Sequence, residues 1–321
     1  MDVAALREAT GMDDAPPVLH GTDCDTTAWH LLQGWLEDQA LARGVVVQRG
    51  IRVTAVHPGD TREPACVLTT DGGEYRADLV VAADGARSES RASIAPQDAG
   101  SRYAGVLLWR ALVAEQALPR EMPRLPVGEP SRELYAGPYR LVTYLVPGAH
   151  GQTAVGQRRL NLVWYDPEQG DLLRGLGLLD GETVHASLNA DAVPAPVRDR
   201  LAVFAGANWP SPWREALALA LAAGTVYGTP IVHYKPRRLA RGRAALAGDS
   251  AHAASPMVGG GFREGLDDVA ALAELMAGLS SPTAIPDALD RYQQLRLGPA
   301  ARHVTVSERA TADYLTWAAR E

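Results

Sequence analysis

Two loops in this sequence combine carboxylates, glycines and small polar residues in the way that ligand-binding turns do. The first loop, which follows an apolar segment, reads Asp84-Gly85-Ala86-Arg87-Ser88-Glu89-Ser90-Arg91. A carboxylate directly after a buried parallel strand lies where open α/β sheets bind their ligands. Gly85 permits a tight turn, and Ser88 and Arg91 could contact a phosphate group or pair with Asp84. The alternative is a plain strand-to-helix turn in which Ser88 caps the helix.

The second loop also follows an apolar segment and ends in a run of three glycines. Its key residues are, in order, Gly248, Asp249, Pro256, Val258, Gly259, Gly260, Gly261 and Asp268. A glycine run at the start of a helix leaves backbone N–H groups free beside the positive end of the helix dipole, where negative charge is stabilised. The alternative is a flexible hinge before a surface helix, but a generic hinge would rarely reproduce this spacing.

A few aromatic and polar side chains elsewhere could contact a substrate. His233, which precedes Tyr234 on a predicted strand, could act as a general base because the pKa of histidine lies near neutrality. The alternative for His233 is a hydrogen-bonded core residue or a surface residue. Tyr144, Asn161 and Trp164 lie on predicted strands, whose alternation allows only some of them to face a pocket. The sequence does not show which of these three side chains face the pocket.

Hydrophobic periodicity predicts the elements that position these residues. Helices are predicted at about 25–43, 195–205 and 212–223, from 261 onward, and from 285 onward, with Asp25 as the cap of the first. Shorter β-type segments are predicted at 45–48, 52–56, 66–69, 105–113, 140–146 and 160–165. The apolar runs 77–83 and 244–247 lead directly into the two loops, and they predict strands buried on both faces, as in a parallel sheet.

These elements predict an α/β fold with two regions interleaved along the chain. A parallel sheet is predicted from residues 1–100 and 240–321, with helices at the C-terminus. An antiparallel sheet is predicted from residues 101–239. The first region carries both loops, and the second is expected to form the wall of a substrate pocket.

Composition excludes several classes of function. The net charge of −7 argues against a protein that binds duplex nucleic acid. Lys235 is the only lysine, and no glycine-rich loop ends in Gly-Lys, so a P-loop nucleotide hydrolase is excluded. The two cysteines, Cys24 and Cys66, fit a reducing compartment and have no metal-ligand spacing. Without a signal peptide or an apolar run of membrane-spanning length, the chain is expected to be cytoplasmic and to have no membrane partner.

Both loops resemble the motifs of one enzyme family. DGARSESR, residues 84–91, is similar to the DG motif of the single-component flavin monooxygenases that share the para-hydroxybenzoate hydroxylase fold. GDSAHAASPMVGGGFREGLDD, residues 248–268, resembles the second FAD motif of that family. Further similar segments include GVLLWRALV and LNLVWYDP, and the resemblance covers about residues 18–315. The chain is most similar to the dihydroxypyridine monooxygenase branch, whose members hydroxylate electron-rich aromatic heterocycles.

The resemblance implies FAD as cofactor, NAD(P)H and O2 as co-substrates, and hydroxylation of a small aromatic or heteroaromatic substrate. Its implied FAD contacts are Asp84, Gly85 and Arg91 near the pyrophosphate, Gly248 and Asp249 at the ribitol, Pro256 beside the isoalloxazine, and Val258, Gly259, Gly260 and Gly261 at the pyrimidine ring. It also implies that His252 is structural. The substrate-pocket candidates remain His233, Tyr234, Tyr144 and Trp164. Because the cofactor carries the chemistry, no Ser/His/Asp triad is expected.

The sequence departs from the family pattern at two points. A member of the family opens with a strand, a G-x-G-x-x-G turn and a helix, and no such run occurs in these 321 residues. The resemblance therefore implies an incomplete Rossmann-like FAD-binding parallel sheet. Arg263 occupies a position where many relatives carry Asn. We therefore expect an aromatic hydroxylase without this first unit, through a misplaced start or natural shortening. A flavin-free relative, acting as a binding module or a cofactor-independent enzyme, and a non-functional remnant are the alternatives. The oligomeric state is left open, with a homodimer among the options.

Overall fold

The computed structural model describes residues 6, 15–20, 25–97, 100–119, 132–167 and 169–321. The helices are α1 (Trp29–Ala42), α2 (Arg91–Ile94), α3 (Gly170–Gly175), α4 (Ala195–Asn208), α5 (Trp213–Ala222), α6 (Asp249–His252), α7 (Gly261–Ala277) and α8 (Ile285–Ala318). The strands are β1 (Val53–His57), β2 (Ala65–Thr69), β3 (Glu74–Ala77), β4 (Val80–Ala82), β5 (Arg102–Ala114), β6 (Arg132–Ala136), β7 (Tyr139–Val146), β8 (Arg159–Pro167), β9 (Leu179–Asp180), β10 (Thr183–Val184), β11 (Tyr227–His233), β12 (Ala240–Arg241) and β13 (Ala244–Leu246). The α/β class is confirmed.

The predicted parallel pairing is present in a small sheet of order β12-β13-β4. Strands β13 and β4 run parallel, with Ala244 opposite Val80 and Leu246 opposite Ala82, whereas β12 is antiparallel to β13. Every residue of β13 is buried, as predicted. The prediction of a strand buried on both faces is wrong for β4, because Val81 is 42% exposed. Within the described residues, β4 is an edge strand of this sheet.

Strands β1, β2 and β3 form a second, antiparallel sheet. The predicted strands at 52–56 and 66–69 are confirmed in it as β1 and β2, each shifted by one residue at one or both ends. The predicted strand at 45–48 is wrong. Residues 41–52 are all exposed, so this β-branched run has no apolar surface against which to pack. Strand propensity depends on such packing.

The large antiparallel sheet contains seven strands, in the order β6-β7-β8-β5-β10-β9, with β11 paired to the other edge of β5. Its long central pairs place Trp109 opposite Trp164 and Tyr144 opposite Asn161. The predicted strands at 105–113, 140–146 and 160–165 are therefore confirmed, and each extends beyond its predicted bounds. All strands of this sheet lie within residues 101–239. The division of the chain into two domains stays a prediction.

The two faces of the large sheet are covered by different elements. On one face, Leu107, Trp109 and Trp164 pack with residues of α4 and α5 in the largest apolar cluster. On the other face, a smaller cluster joins Leu108 and Tyr165 to the C-terminal part of α8. A strand exposes alternate side chains on opposite faces, so neighbouring residues of β5 and β8 belong to different environments.

The five long helices agree with the sequence except at their ends, whereas the short helices α2, α3 and α6 were not predicted. Helix α1 begins at Trp29 with Ala28 at the cap position, so the predicted cap at Asp25 is wrong. The carboxyl group of Asp25 instead lies 2.9 Å from Nδ1 of His20. Helix α7 begins at Gly261, as predicted, and α8 runs for 34 residues from Ile285. No helix in the described ranges combines the length and the hydrophobicity needed to cross a lipid bilayer.

Candidate FAD-binding site

The parallel pairing of β4 and β13 brings the two loops to one edge of the sheet. The N–H of Ala247 donates to the carbonyl of Ala82 over 3.1 Å at the end of this pairing. Ser250, which the sequence analysis did not single out, strengthens the junction because its hydroxyl donates to the carbonyl of Ala82 over 2.6 Å. Asp84 and Asp249 therefore leave adjacent strands at the same end, where parallel sheets bind ligands.

The first loop is closed by its own side chains. Gly85 has a φ of 80°, a conformation that side chains disfavour. The carboxylate of Asp84 accepts a hydrogen bond from the N–H of Ser90 over 3.0 Å, and the hydroxyl of Ser88 accepts one from the N–H of Arg91 over 3.0 Å. Ser88 therefore binds the first residue of α2, but the residue at the cap position is Ser90, which makes no capping hydrogen bond with its side chain. Asp84 remains exposed, so closing the turn does not remove it from contact with a ligand.

Arg91 lies inside the protein and joins the two loops. The side chain is 1% exposed, and its Nε donates to the carbonyl of Ser250 over 2.8 Å. Its NH1 donates to the hydroxyl of Ser101 over 2.8 Å, and its guanidinium lies 3.8 Å from the ring centroid of Tyr234. A pyrophosphate contact would require Arg91 to leave these partners. The pyrophosphate contact stays a prediction, whereas the hydrogen bonds of Arg91 show that it joins the two loops.

The second loop presents Asp249 to solvent. Gly248 turns the chain with a φ of 64°, and its N–H donates to the carboxylate of Asp268 over 2.9 Å. Asp249 is exposed, yet desolvation by the surrounding protein raises the pKa of its carboxyl group, while the nearby His252, His303 and Arg91 act in the opposite direction. An accessible carboxylate in a partly desolvated recess is suited to accept hydrogen bonds from a polyhydroxyl ligand.

The glycine turn after this loop forms an open cradle at the start of α7. Gly259 and Gly260 have φ values of 63° and 81°, and α7 begins at the next residue. A Cβ atom on Gly248, Gly259 or Gly261 would meet no protein atom within 4 Å, so the backbone faces open space there. On the other side, a Cβ on Gly260 would lie 3.2 Å from His303. The first N–H groups of a 17-residue helix are thus accessible, which fits the pyrimidine edge of a flavin.

A buried ionic network holds both parts of the second loop. Asp268 is fully buried, and its Oδ2 accepts from the N–H of Gly248 and from Nε2 of His252, 2.7 Å away. Its Oδ1 accepts from Nε of Arg296 on α8 over 2.8 Å. Burial acts to raise the pKa of Asp268, but the hydrogen bonds from His252 and Arg296 hold it below its ordinary value. His252 is therefore structural, as the resemblance implied.

His233 and Tyr234 are both buried. Nε2 of His233 lies 3.1 Å from the hydroxyl of Ser307 on α8, and that hydroxyl accepts from the N–H of Ser255, next to Pro256. Burial lowers the pKa of His233, which favours its neutral form. The hydroxyl of Ser307 thus connects His233 with the loop that carries Pro256. Its role as a base stays a prediction.

The remaining pocket candidates lie on opposite faces of the large sheet. Trp164 is 1% exposed and packs edge-on against Trp209, with ring centroids 5.6 Å apart. It therefore belongs to the core beneath α4 and α5 and is not exposed to a ligand in this structure. Tyr144 and Asn161 lie opposite each other on the other face. Met257, next to Pro256, packs against that same face.

Several minor predictions have clear outcomes. Trp209 and Trp213 are buried core residues. Cys66 is half-buried and free, and Cys24 lies outside the described residues. Arg263 is exposed and pairs with Asp267 over 3.0 Å. It therefore extends along the outside of α7.

The family described as FAD binding domain matches residues 14–123 and 228–307, more than half of the chain. This chain belongs to that family. A second family, described as FAD binding domain-like, matches residues 103–220. The first match contains both loops of the candidate site, and the second covers most of the large antiparallel sheet.

Curated relatives carry the names of aromatic hydroxylases. The chain is 30% identical over 71% of its length to 3-amino-4-hydroxybenzoate 2-monooxygenase of Streptomyces cremeus, and it covers 48% of that protein. It is 29% identical over 80% of its length to a salicylate hydroxylase of Pseudomonas putida, covering 56% of it. The chain spans about half the length of the curated relatives it matches.

Solved structures show the same fold. Klebsiella pneumoniae HpxO in complex with FAD and uric acid superposes with a TM-score of 0.64 at 23% identity, covering all of this chain and 71% of HpxO. The 2,6-dihydroxypyridine-3-hydroxylase of Arthrobacter nicotinovorans superposes with a TM-score of 0.64 at 17% identity, covering 83% of this chain and 64% of that protein. The dihydroxypyridine branch stays a prediction, because the curated relatives carry names for several different substrates.

Proposed function

We propose that this chain belongs to an FAD-dependent monooxygenase that hydroxylates a small aromatic or heteroaromatic compound with NAD(P)H and O2. The observation that carries the proposal is the meeting of Asp84, Asp249 and the open glycine turn at one end of the β4–β13 pair. Family membership and the names of the relatives support it. Because the chain spans about half of those relatives, the activity is proposed for the protein as a whole.

In this proposal the residues of the chain bind and orient the flavin half of FAD. Asp249 accepts hydrogen bonds from the ribitol, and the N–H groups of 258–261 face the pyrimidine ring. Pro256 lies beside the isoalloxazine, and Asp84 and Gly85 lie toward the pyrophosphate. When bound, FAD would supply the redox chemistry, which is hydride transfer from NAD(P)H and activation of O2. These 321 residues contain no G-x-G-x-x-G turn for the adenosine half of FAD.

Flavin content of the purified chain tests this proposal. The expected result is a yellow protein, or a colourless one that binds added FAD at a ratio near one, and that consumes NADH faster when an aromatic substrate is present. A colourless protein that binds no FAD would contradict the proposal. That result would favour the flavin-free alternative, in which the fold serves as a binding module.

A further inference from the structure

A cavity of about 360 Å³ lies between the two chain segments that connect the small β12-β13-β4 sheet with the large antiparallel sheet. One segment leads from the end of α2 to the start of β5, and the other leads from the end of β11 to the start of β12. We call this space the arginine cavity. Its described lining residues come from both segments and from β12, and they are Ala95, Pro96, Gln97, Arg237, Arg238 and Arg241.

The described lining of the arginine cavity carries positive charge and no negative charge. Three of the six residues are arginines, and none of the six is acidic. All three arginines are exposed, so solvent reaches their side chains. A recess that is lined by one sign of charge concentrates ions of the opposite sign. Because small molecules bind in cavities of roughly 300–1,000 Å³, this one is large enough for a small anionic ligand.

Arg238 and Arg241 have donors available for such a ligand. The side chain of Arg238 has no hydrogen-bond or ion-pair partner among the described residues. Arg241 donates from Nη1 to the carbonyl of Ser93 on α2 over 3.3 Å, which fixes its guanidinium beside the cavity. The guanidinium of Arg241 retains further N–H groups, because a guanidinium carries several donors in a planar fork.

Arg243, which follows Arg241 by two residues, has a purely structural role. It is buried, and its Nε donates to the carbonyl of Asp60 over 2.6 Å. Its Nη1 lies 3.2 Å from the carboxylate of Asp78, which balances its charge. No described carboxylate balances Arg238 or Arg241 in this way. The contacts of the fold therefore explain the position of Arg243 and leave the other two arginines unexplained.

We propose that the arginine cavity binds a diphosphate group, held mainly by Arg238 and Arg241. A single guanidinium matches a carboxylate, whereas a diphosphate offers charged oxygens to several guanidinium groups at once. Arg237 adds positive charge to the same wall, and the side-chain amide of Gln97 supplies a donor from the opposite segment. A bound diphosphate would thus hold the two connecting segments together.

This site is distinct from the candidate FAD site. None of the residues that line the arginine cavity is one of the FAD contacts implied by the family resemblance. The inference therefore does not rest on the proposed function.

Equilibrium titration with inorganic diphosphate, in buffer free of divalent cations, tests the proposal. Sulfate at the same ionic strength is the comparison, because salt screens exposed charges. The wild type is expected to bind diphosphate saturably and about tenfold more tightly than sulfate, which presents fewer charged oxygens to the arginines. The absence of saturable binding, or equal affinity for the two anions, would overturn the proposal.

Variants of the two arginines assign the binding to this cavity. Arg238→Gln is expected to weaken diphosphate binding about tenfold and to leave the melting temperature without ligand unchanged, since this side chain has no described partner to lose. Arg238→Lys should keep part of the affinity, because it keeps the charge but not the planar fork. Arg241→Gln should also bind about tenfold more weakly. Unchanged affinity in either folded Gln variant would contradict the proposal.

Arg309→Gln is the matched control, because it removes an exposed arginine of α8 and should bind diphosphate like the wild type. An equal loss in Arg309→Gln would show that the anion responds only to overall charge, and it would overturn the proposal.

Titration with ADP distinguishes the source of the diphosphate group. Binding of ADP at least as tight as that of inorganic diphosphate, with the same loss in Arg238→Gln, assigns the site to a nucleotide. Weaker binding of ADP assigns the site to the free anion. Binding of ADP alone would show that the nucleoside is recognised instead, and the proposal would be wrong.

Failure of this inference is distinguishable from failure of the proposed function. Saturating FAD is expected to leave the affinity for diphosphate unchanged, and displacement of diphosphate by FAD would overturn the claim of a second site. If the chain binds no FAD, the proposed function fails, and the titrations without FAD still decide whether the arginine cavity binds diphosphate.

Discussion

Nε2 of His252 lies 2.7 Å from Oδ2 of Asp268, and both side chains are almost completely buried. The same carboxylate binds the N–H of Gly248 and the guanidinium of Arg296. One buried negative charge thus joins the Gly248 turn, α7 and α8. The geometry of the candidate FAD site depends on this charge, although Asp268 is not expected to contact the cofactor.

Removing this charge should destabilise the fold strongly. Asp268→Asn is expected to lower the free energy of unfolding by about 3 kcal/mol, because it leaves Arg296 and its neighbours without their buried counter-charge. Denaturant titration measures the change. Since the pKa of Asp268 is lowered in the folded protein, its stabilisation is present above the unfolded pKa and is lost as the pH falls through the folded value.

Asp267→Asn is the matched control for this prediction. Asp267 lies next in sequence, is partly exposed, pairs with Arg263 at helical spacing and makes only a long contact of 4.0 Å with Arg296. Exposed pairs of this kind contribute about 0.5 kcal/mol or less. Similar losses for the two variants would show that Asp268 does not hold the network.

The two glycines at the start of α7 should respond differently to alanine. Gly260 has a φ of 81° and faces His303, so Gly260→Ala is expected to cost about 1–2 kcal/mol of stability. Gly261 is helical with open space around it, so Gly261→Ala should change stability by less than about 0.5 kcal/mol. Thermal unfolding without FAD compares them, and equal effects would argue against the described turn.

A buried carboxyl group in the large sheet should give a pH-dependent stability. Burial raises the pKa of Asp166 to about 6, while its contacts with Trp109 and Arg200 act in the opposite direction. The folded state therefore holds this proton more tightly than the unfolded state, and stability falls as the pH rises from about 4 to 6. Relative to Asp166→Asn, the wild type should lose about 1 kcal/mol between pH 5 and pH 8.

Val203 and Asp199 are exposed residues of α4. Val203→Ala changes no titratable group, so the difference in unfolding free energy between this variant and the wild type should stay constant across this pH range. A constant difference for Asp166→Asn as well would mean that Asp166 does not titrate as described.

The sequence predicts the parallel pairing of β4 and β13 better than it predicts which residues pack around these strands. The apolar run that contains β13 is buried, whereas Val81 of β4 is exposed, because an apolar run does not reveal which strands lie beside it. The β-branched run at 45–48 forms no strand, since propensity without a packing surface is insufficient.

In the candidate site, the sequence predicts which residues lie together but not how each side chain is oriented. The carboxyl-end rule places Asp84 and Asp249 together correctly. It does not reveal that Arg91 points inward, because that orientation depends on Ser250 and Tyr234 from distant parts of the chain.

The measurement that most directly tests whether this chain binds FAD through these loops is the rise in melting temperature on adding FAD, compared between the wild type and Asp249→Ala. A ligand that binds only the folded state raises its stability with concentration. Loss of the Asp249 carboxylate should weaken FAD binding by about tenfold or more, since an unmade hydrogen bond to a buried donor costs about 1–3 kcal/mol. The account predicts a clear rise for the wild type and for Asp199→Asn, and a smaller one for Asp249→Ala. An equal rise in all three proteins would contradict the role of Asp249, and no rise in the wild type would contradict FAD binding by this chain.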